Sequence, residues 1–261
     1  MTNNRNAYLS LMSVLTDEVP CSPALPLMHC TKSEYFFDMI SQGALAKRQC
    51  RVFNEELVYL FYGRPSYRPY RQEENTSLAA FRPVALIFRP DLEIPIKRIY
   101  PFDTGAFFEG LYAQYIPGNA NLANFEIAPS LEHASRSVSL FFQSNKNYYR
   151  GRAANTVAAP PTNLTISSLL GMFRAQGLSK VDDRKSAIEI QSSETVVLDA
   201  TSVMAVCMPG DYCEDEALYS LLTEDWGADI VEYDIYHDSP IHDIREVMAR
   251  VKDYLERKGL L

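Results

Sequence analysis

The 261-residue sequence lacks the features that mark fibrous, membrane-spanning and disulfide-stabilised proteins. Its 11 Gly and 15 Pro follow no collagen-like repeat, and its hydrophobic runs are shorter than the roughly 20 residues of a membrane-spanning helix. No small-residue cleavage site follows the N-terminal segment. The five cysteines are an odd number with no Cys-x-x-Cys pair, which is typical of a reducing compartment. We therefore expect a cytoplasmic protein with no membrane partner.

Motifs for the common cofactors and nucleophiles are also missing. The sequence contains no G-x-G-x-x-G, no P-loop and no G-x-S-x-G, which argues against dinucleotide-binding, kinase-like and α/β-hydrolase folds. His237 and His242 are five residues apart, which does not place them on one helical face, and Cys207 and Cys213 have no partner pair. We expect no metal site.

Charge is distributed unevenly along the chain. The net charge is −8, from 33 acidic and 25 basic residues. Residues 47–98 hold ten basic and six acidic residues, whereas residues 181–261 hold seven basic and 19 acidic residues. An anionic ligand would be attracted to the first segment. The alternative is that both segments simply carry solvated surface charge.

Hydrophobic periodicity predicts strands and helices that interleave without strict alternation. With 47% apolar residues, the chain can bury a substantial core. Strands are predicted over residues 27–30, 57–62, 83–88, 186–191, 196–198 and 203–208. Helices are predicted over residues 6–15, 32–41, 105–115, 133–142, 164–176 and 239–258, the last one amphipathic. This order predicts an α+β fold. We expect a single domain over residues 1–261, with its core at about 24–236.

Chemistry-bearing residues recur near predicted strand ends. The first strand ends in His29-Cys30-Thr31, a His-x-Thr sequence, and a helix that stops at Gly43 follows. The next strand is rich in tyrosine. Much later, Glu189 lies between Ile188 and Ile190 in an otherwise apolar strand. A buried carboxylate is costly unless it is paired or faces a cleft, so Glu189 requires an explanation. Arg184 or Lys185 could supply a purely structural one.

In this order and spacing, the segments resemble the His-Tyr-Glu branch of the ADP-ribosyltransferase superfold, which includes poly-ADP-ribose polymerases and DarT-like toxins. The resemblance covers residues 27–208, roughly, and its individual motifs are short. It implies a split mixed or antiparallel sheet with flanking helices, and NAD as co-substrate without a metal. The implied activity is transfer of ADP-ribose to a macromolecule, with a bacterial toxin or phage-defence effector as the implied biology.

The resemblance also implies a role for each matching residue. Glu189 would stabilise the oxocarbenium-like ribose formed when the nicotinamide bond breaks. His29 and Thr31 would bind adenosine ribose hydroxyls, and a tyrosine would stack on nicotinamide. We assign Tyr62 to the catalytic set with Glu189, and Tyr59 to NAD binding. Two matches stay open: Tyr59, Tyr62 or Tyr67 could be the stacking residue, and Glu126 is a rival to Glu189.

The basic segment suggests further contacts. Arg51, Arg64 and Arg68 lie within it, and guanidinium groups suit bidentate phosphate contacts, so we expect them to bind the pyrophosphate. The same segment favours DNA or RNA over protein as the acceptor. Alternative functions are an NAD glycohydrolase, an RNA 2′-phosphotransferase, or an inactive binding module. A protein partner such as an antitoxin would suit the acidic C-terminal third.

Overall fold

The structure is a computed structural model that describes residues 8–67, 76–157, 159, 162–175, 184–235 and 240–261. Its α-helices are α1 Met12–Leu15, α2 Ser33–Gln42, α3 Thr104–Phe108, α4 Leu131–Phe142, α5 Asn145–Tyr149, α6 Leu164–Arg174, α7 Glu216–Ser220 and α8 Pro240–Arg257. Its strands are β1 Leu27–Lys32, β2 Ala44–Leu45, β3 Arg48–Cys50, β4 Glu55–Tyr62, β5 Pro83–Phe88, β6 Ile96–Tyr100, β7 Glu189–Ser192, β8 Val196–Val197, β9 Val203–Pro209 and β10 Asp229–Tyr233.

The chain divides into two compact units. The first unit comprises Met1–Ala24 and Ile96–Ile190, and the second comprises Leu25–Pro95 and Gln191–Leu261. The second unit contains the strand order β10-β9-β5-β1-β4, with β3 paired to β4 and a separate β2–β8 pair. The β9–β10 pair is parallel, and the other pairs are antiparallel. This mixed sheet with flanking helices confirms the predicted α+β class; the single domain stays a prediction.

The second unit buries its sheet beneath two helices. All six residues of β5 are buried, as expected for a strand that is paired on both edges and covered on both faces. Helix α2 packs on β1 and β5, and α8 packs on β5, β9 and β10. The predicted stripe of α8 is confirmed, since Ile244, Val247, Val251 and Leu255 are all buried. A buried ion pair between Arg82 and Asp243 attaches the start of α8 beside β5.

The first unit is helical and rich in aromatic contacts. Phe142 packs against Tyr148 and Phe173, with ring centroids 5.2 Å and 5.3 Å apart. Phe102 lies 5.4 Å from Phe125 and so contributes to a second aromatic group. Strand β6 forms an isolated antiparallel bridge between Ile99 and Ile127. These contacts build a core from side chains that are far apart in sequence.

Several predicted boundaries are wrong. The helix predicted at 105–115 ends at Phe108, because Gly110 adopts a φ of +75° and the chain continues in turns. The strand predicted at 186–191 begins at Glu189, because Arg184–Ser186 forms a 3₁₀ turn. Among the described residues, no helix is both long enough and apolar enough to span a membrane. Residues 6 and 7 of the predicted N-terminal helix lie outside the described residues.

Candidate functional site

A cavity of about 210 Å³ lies in the second unit, where β1 and β4 separate. The two strands pair at Leu27 with Tyr62 and at Met28 with Phe61. Beyond Met28, β1 stays paired with β5 through Lys32, whereas residues 57–59 of β4 form the opposite wall. The lining residues are His29, Cys30, Thr31, Lys32, Tyr35, Met39, Leu45, Ala46, Arg48, Leu57, Val58, Tyr59 and Tyr67. The structure therefore brings His29, Thr31 and Tyr59 together around one cavity.

The His29 ring is held in one orientation. Its Nδ1 lies 2.9 Å from the Tyr59 carbonyl oxygen. Because a carbonyl only accepts hydrogen bonds, Nδ1 carries the proton and donates it, which leaves Nε2 as an acceptor in the neutral ring. Burial lowers the pKa of His29 to about 4, against the weaker opposing effect of the Tyr59 bond. His29 is therefore a neutral acceptor at neutral pH, suited to a ligand hydroxyl.

Both the backbone and the side chain of Tyr59 are held by hydrogen bonds. Its carbonyl accepts the His29 bond, and its phenolic hydroxyl donates to Cys50 Sγ at 2.6 Å. The position of the Cys50 sulfur is further defined by the Phe53 backbone N–H, which lies 3.4 Å from it. Tyr59 thus links β1, β3 and the cavity. Its aromatic ring, together with that of Tyr67, gives the lining flat apolar surfaces suited to a planar ligand group.

Two cations give the cavity its electrostatic character. Lys32 and Arg48 belong to the lining, and none of the described lining residues is a carboxylate. The Arg48 guanidinium lies 4.6 Å from the centroid of the Tyr35 ring, a cation–π distance. A neighbouring cavity of about 240 Å³ shares Arg48 and adds Lys47 and Asp38. A ligand extending from one cavity to the other would meet positive charge at their shared wall.

The other residues predicted for NAD binding lie elsewhere. Tyr62 is fully buried, and its hydroxyl accepts a 3.0 Å hydrogen bond from the Leu25 backbone N–H, so it lies outside the cavity lining. Arg64 is buried and Arg51 is exposed, and neither belongs to the lining. Arg68 lies outside the described residues. The roles proposed for these residues stay predictions.

Gly63 explains how the chain turns after Tyr62. Its φ is +66°, and a Cβ built there would lie 2.3 Å from Leu25 Cδ1. Its N–H donates to the Pro26 carbonyl at 2.8 Å. A side chain at this position would therefore both strain the backbone and displace Leu25. The turn holds the end of β4 against the residues that lead into β1.

Glu189 is buried in the first unit and has a specific hydrogen-bond partner. The Thr104 backbone N–H donates to Glu189 Oε2 at 2.9 Å, and Thr104 Oγ1 donates to Oε1 at 2.7 Å. Thr104 is the first residue of α3, which is N-capped by Asp103. Both carboxylate oxygens are thus held at a helix N-terminus, a favourable place for negative charge. The buried carboxylate that the sequence singled out is compensated by Thr104.

Glu126, the rival carboxylate, belongs to the same neighbourhood of the first unit. Its Oε2 accepts a 3.0 Å hydrogen bond from the Tyr100 hydroxyl. Burial is the main reason that the pKa of Tyr100 is raised, and the negative charges of Glu126 and Glu189 raise it further. Tyr100 therefore lies within electrostatic reach of both candidate carboxylates. The assignment of the catalytic role to Glu189 rather than to Glu126 stays a prediction.

Some residues at the cavity carry no functional signal in the sequence. They are the lining residues Lys32, Tyr35 and Arg48, although Lys32 directly follows the His-x-Thr sequence, and Cys50, which contacts Tyr59. Tyr35 and Met39 are four residues apart on α2, a spacing that places both on one helical face. Arg48 and Cys50 lie on β3, which is too short to produce a recognisable alternation.

No family model, curated protein or solved structure matches the chain.

Proposed function

We propose that this chain is an NAD-dependent ADP-ribosyltransferase. The observation that carries the proposal is the cavity between the separated parts of β1 and β4, which combines a neutral histidine acceptor, aromatic surfaces and two cations. NAD presents the complementary groups: ribose hydroxyls that can donate, planar rings and a doubly charged pyrophosphate. The sequence resemblance to ADP-ribosyltransferases provides separate support.

Each ligand group has a matching residue in the cavity. His29 Nε2 accepts a hydrogen bond from a ribose hydroxyl, and Thr31 lies two residues further along β1. Tyr59 or Tyr67 stacks on a planar ring. Arg48, stacked on Tyr35, attracts the pyrophosphate. This assignment adds Arg48 as a phosphate-binding residue, and the same role of Arg51, Arg64 and Arg68 stays a prediction from the sequence.

The proposed reaction breaks the bond between ribose C1′ and the nicotinamide nitrogen. The bonding electron pair leaves with nicotinamide, whose cationic ring becomes neutral, and C1′ acquires oxocarbenium character. A carboxylate stabilises that developing positive charge. The resemblance alone assigns this role to Glu189, which is buried and does not belong to the cavity lining. An acceptor oxygen or nitrogen then bonds to C1′ and loses its proton to solvent.

The acceptor we propose is a nucleic acid. Residues 47–98 carry four more basic than acidic residues, in contrast to the acidic C-terminal third. Because phosphate contacts release counterions, modification of an oligonucleotide should decline steeply with added salt. Label from NAD found only on protein would contradict this acceptor, and label found only in free ADP-ribose would identify an NAD glycohydrolase.

The test is nicotinamide release from NAD by the purified full-length chain, with and without an oligonucleotide. Arg48→Ala should raise KM for NAD by about tenfold and leave kcat within a few-fold, because it removes a charged ground-state contact. Lys97→Ala is the matched control, since Lys97 is an exposed cation on β6. Absence of nicotinamide release by the wild-type chain, or an unchanged KM in Arg48→Ala, would contradict the proposal.

A further inference from the structure

Two exposed apolar side chains and a partly exposed tyrosine lie near one another on the surface of the second unit. Phe37 of α2 is 42% exposed, and Leu78 is 59% exposed. The ring of Tyr212 lies 5.4 Å from the ring of Phe37, and its hydroxyl donates to the carbonyl of Ala79, next to Leu78, at 3.2 Å. We call Phe37, Leu78 and Tyr212 the Phe37 surface. Large exposed apolar side chains that lie together are characteristic of interaction sites.

The Phe37 surface is held in place by the structure beneath it. The Tyr212 hydroxyl also donates to Ser33 Oγ at 2.8 Å, and that hydroxyl in turn donates to the Arg82 carbonyl at 2.9 Å. The Arg82 side chain forms the buried ion pair with Asp243 of α8. A surface fixed in this way loses little conformational freedom when a partner binds, which favours affinity.

The charge around this surface is negative. Asp38 follows Phe37, Asp211 precedes Tyr212, and Glu214 and Glu216 come shortly after; all four are exposed. The whole segment 186–244 contains 14 acidic residues and no lysine or arginine. Lys32 precedes α2; its Nζ lies 4.0 Å from Glu34 Oε1 and 5.0 Å from the centroid of the Phe81 ring.

We propose that the Phe37 surface docks a basic amphipathic segment of a partner protein. Apolar side chains of that segment would cover Phe37 and Leu78, and its lysines or arginines would face the surrounding carboxylates. A second copy of the chain fits less well, because two molecules of net charge −8 would bring like charges together. The proposal does not depend on NAD chemistry.

Fluorescence anisotropy with labelled synthetic peptides tests this surface. One amphipathic helical peptide carries leucine on one face and lysine on the other; a second replaces lysine with glutamate, and a third replaces leucine with serine. The lysine–leucine peptide should bind the full-length chain, weaken with added salt, and outcompete both others. Phe37→Ser should weaken binding by at least about tenfold. Val197→Ser, at an apolar position on β8 that is more exposed than Phe37, is the control and should bind normally.

Charge variants complete the test. Asp211→Asn combined with Glu214→Gln should weaken binding of the lysine–leucine peptide and reduce its salt dependence, whereas Glu93→Gln, an exposed carboxylate elsewhere, should not. Equal binding to Phe37→Ser and Val197→Ser, equal affinity for the glutamate peptide, or no binding at all would overturn the proposal. So would a dimer in solution that Phe37→Ser converts to a monomer, because the surface would then be occupied by a second copy.

Discussion

Replacing His29 with asparagine should separate its hydrogen bond to Tyr59 from its titration. In the wild type, His29 Nδ1 lies 2.9 Å from the Tyr59 carbonyl oxygen. The amide nitrogen of asparagine occupies about the position of Nδ1, so His29→Asn can still donate a hydrogen bond to that carbonyl. It removes both Nε2 and the ionisable ring. The fold should therefore persist at neutral pH, while NAD affinity should fall about 5- to 150-fold, the equivalent of roughly 1–3 kcal/mol for a lost buried hydrogen bond.

The lowered pKa of His29 gives this prediction a pH window. The ordinary pKa is 6.5 and the folded-state pKa is about 4, so the folded state disfavours the protonated ring. The stability associated with neutral His29 is complete above about pH 6.5. This stability is lost progressively as the pH falls from 6.5 to 4, because in this range the unfolded chain binds a proton at His29 and the folded chain largely does not. The difference corresponds to about 3 kcal/mol.

Chemical denaturation across this range measures the effect. Between pH 7 and pH 4, the free energy of unfolding of the wild type should fall by about 3 kcal/mol more than that of His29→Asn. Calorimetric titration with NAD should show wild-type affinity that is flat from about pH 8 to pH 5, because Nε2 stays unprotonated. Parallel unfolding curves for the two proteins, or NAD affinity that drops with a midpoint near 6.5, would refute the assignment of His29 as a neutral acceptor.

Three further predictions concern other residues. Tyr62→Phe should destabilise the fold by about 1–3 kcal/mol, because the buried Leu25 N–H loses its acceptor, but its NAD affinity measured by calorimetry should equal that of the wild type. Tyr59→Ala should lower NAD affinity. Reduced affinity in Tyr62→Phe together with normal affinity in Tyr59→Ala would place Tyr62, not Tyr59, in the binding site. Glu189→Gln should reduce nicotinamide release at least about 100-fold without changing NAD affinity, whereas Glu126→Gln should retain activity; if only Glu126→Gln is inactive, the catalytic role moves to Glu126. Asp243→Ala should lower the free energy of unfolding by roughly 3–5 kcal/mol, since it leaves the Arg82 charge buried, while Arg250→Ala should change it little because that pair is exposed; similar losses in denaturant melts would contradict this difference.

The parts of the fold that the sequence predicts well are those with strong local periodicity. Residues of β4, β5, β9 and α8 are buried over runs long enough to show the pattern of a buried strand or an amphipathic helix. Gly43 marks the end of α2 because it adopts a φ of +64° and donates to the last carbonyls of the helix. Strands β2 and β3 are only two and three residues long and carry no such pattern.

The candidate site depends on contacts that no local pattern contains. Tyr59 and Tyr62 are three residues apart on β4, so their side chains point to opposite faces of the sheet. The structure places Tyr59 at the cavity and Tyr62 in the core, a choice of face that the sequence alone does not make. Thr104, which hydrogen-bonds Glu189, is 85 residues away in sequence, so no local pattern around Glu189 indicates it. Such partners follow from tertiary packing, which a single sequence does not display.

The proposal that NAD binds in the cavity is tested most directly by a crystal structure of the full chain bound to a non-hydrolysable NAD analogue. We expect the analogue between β1 and β4, with a ribose hydroxyl within hydrogen-bond distance of His29 Nε2, a planar ring on Tyr59 or Tyr67, and the pyrophosphate near Arg48. An analogue bound elsewhere on the protein, with only solvent against His29, would contradict the account.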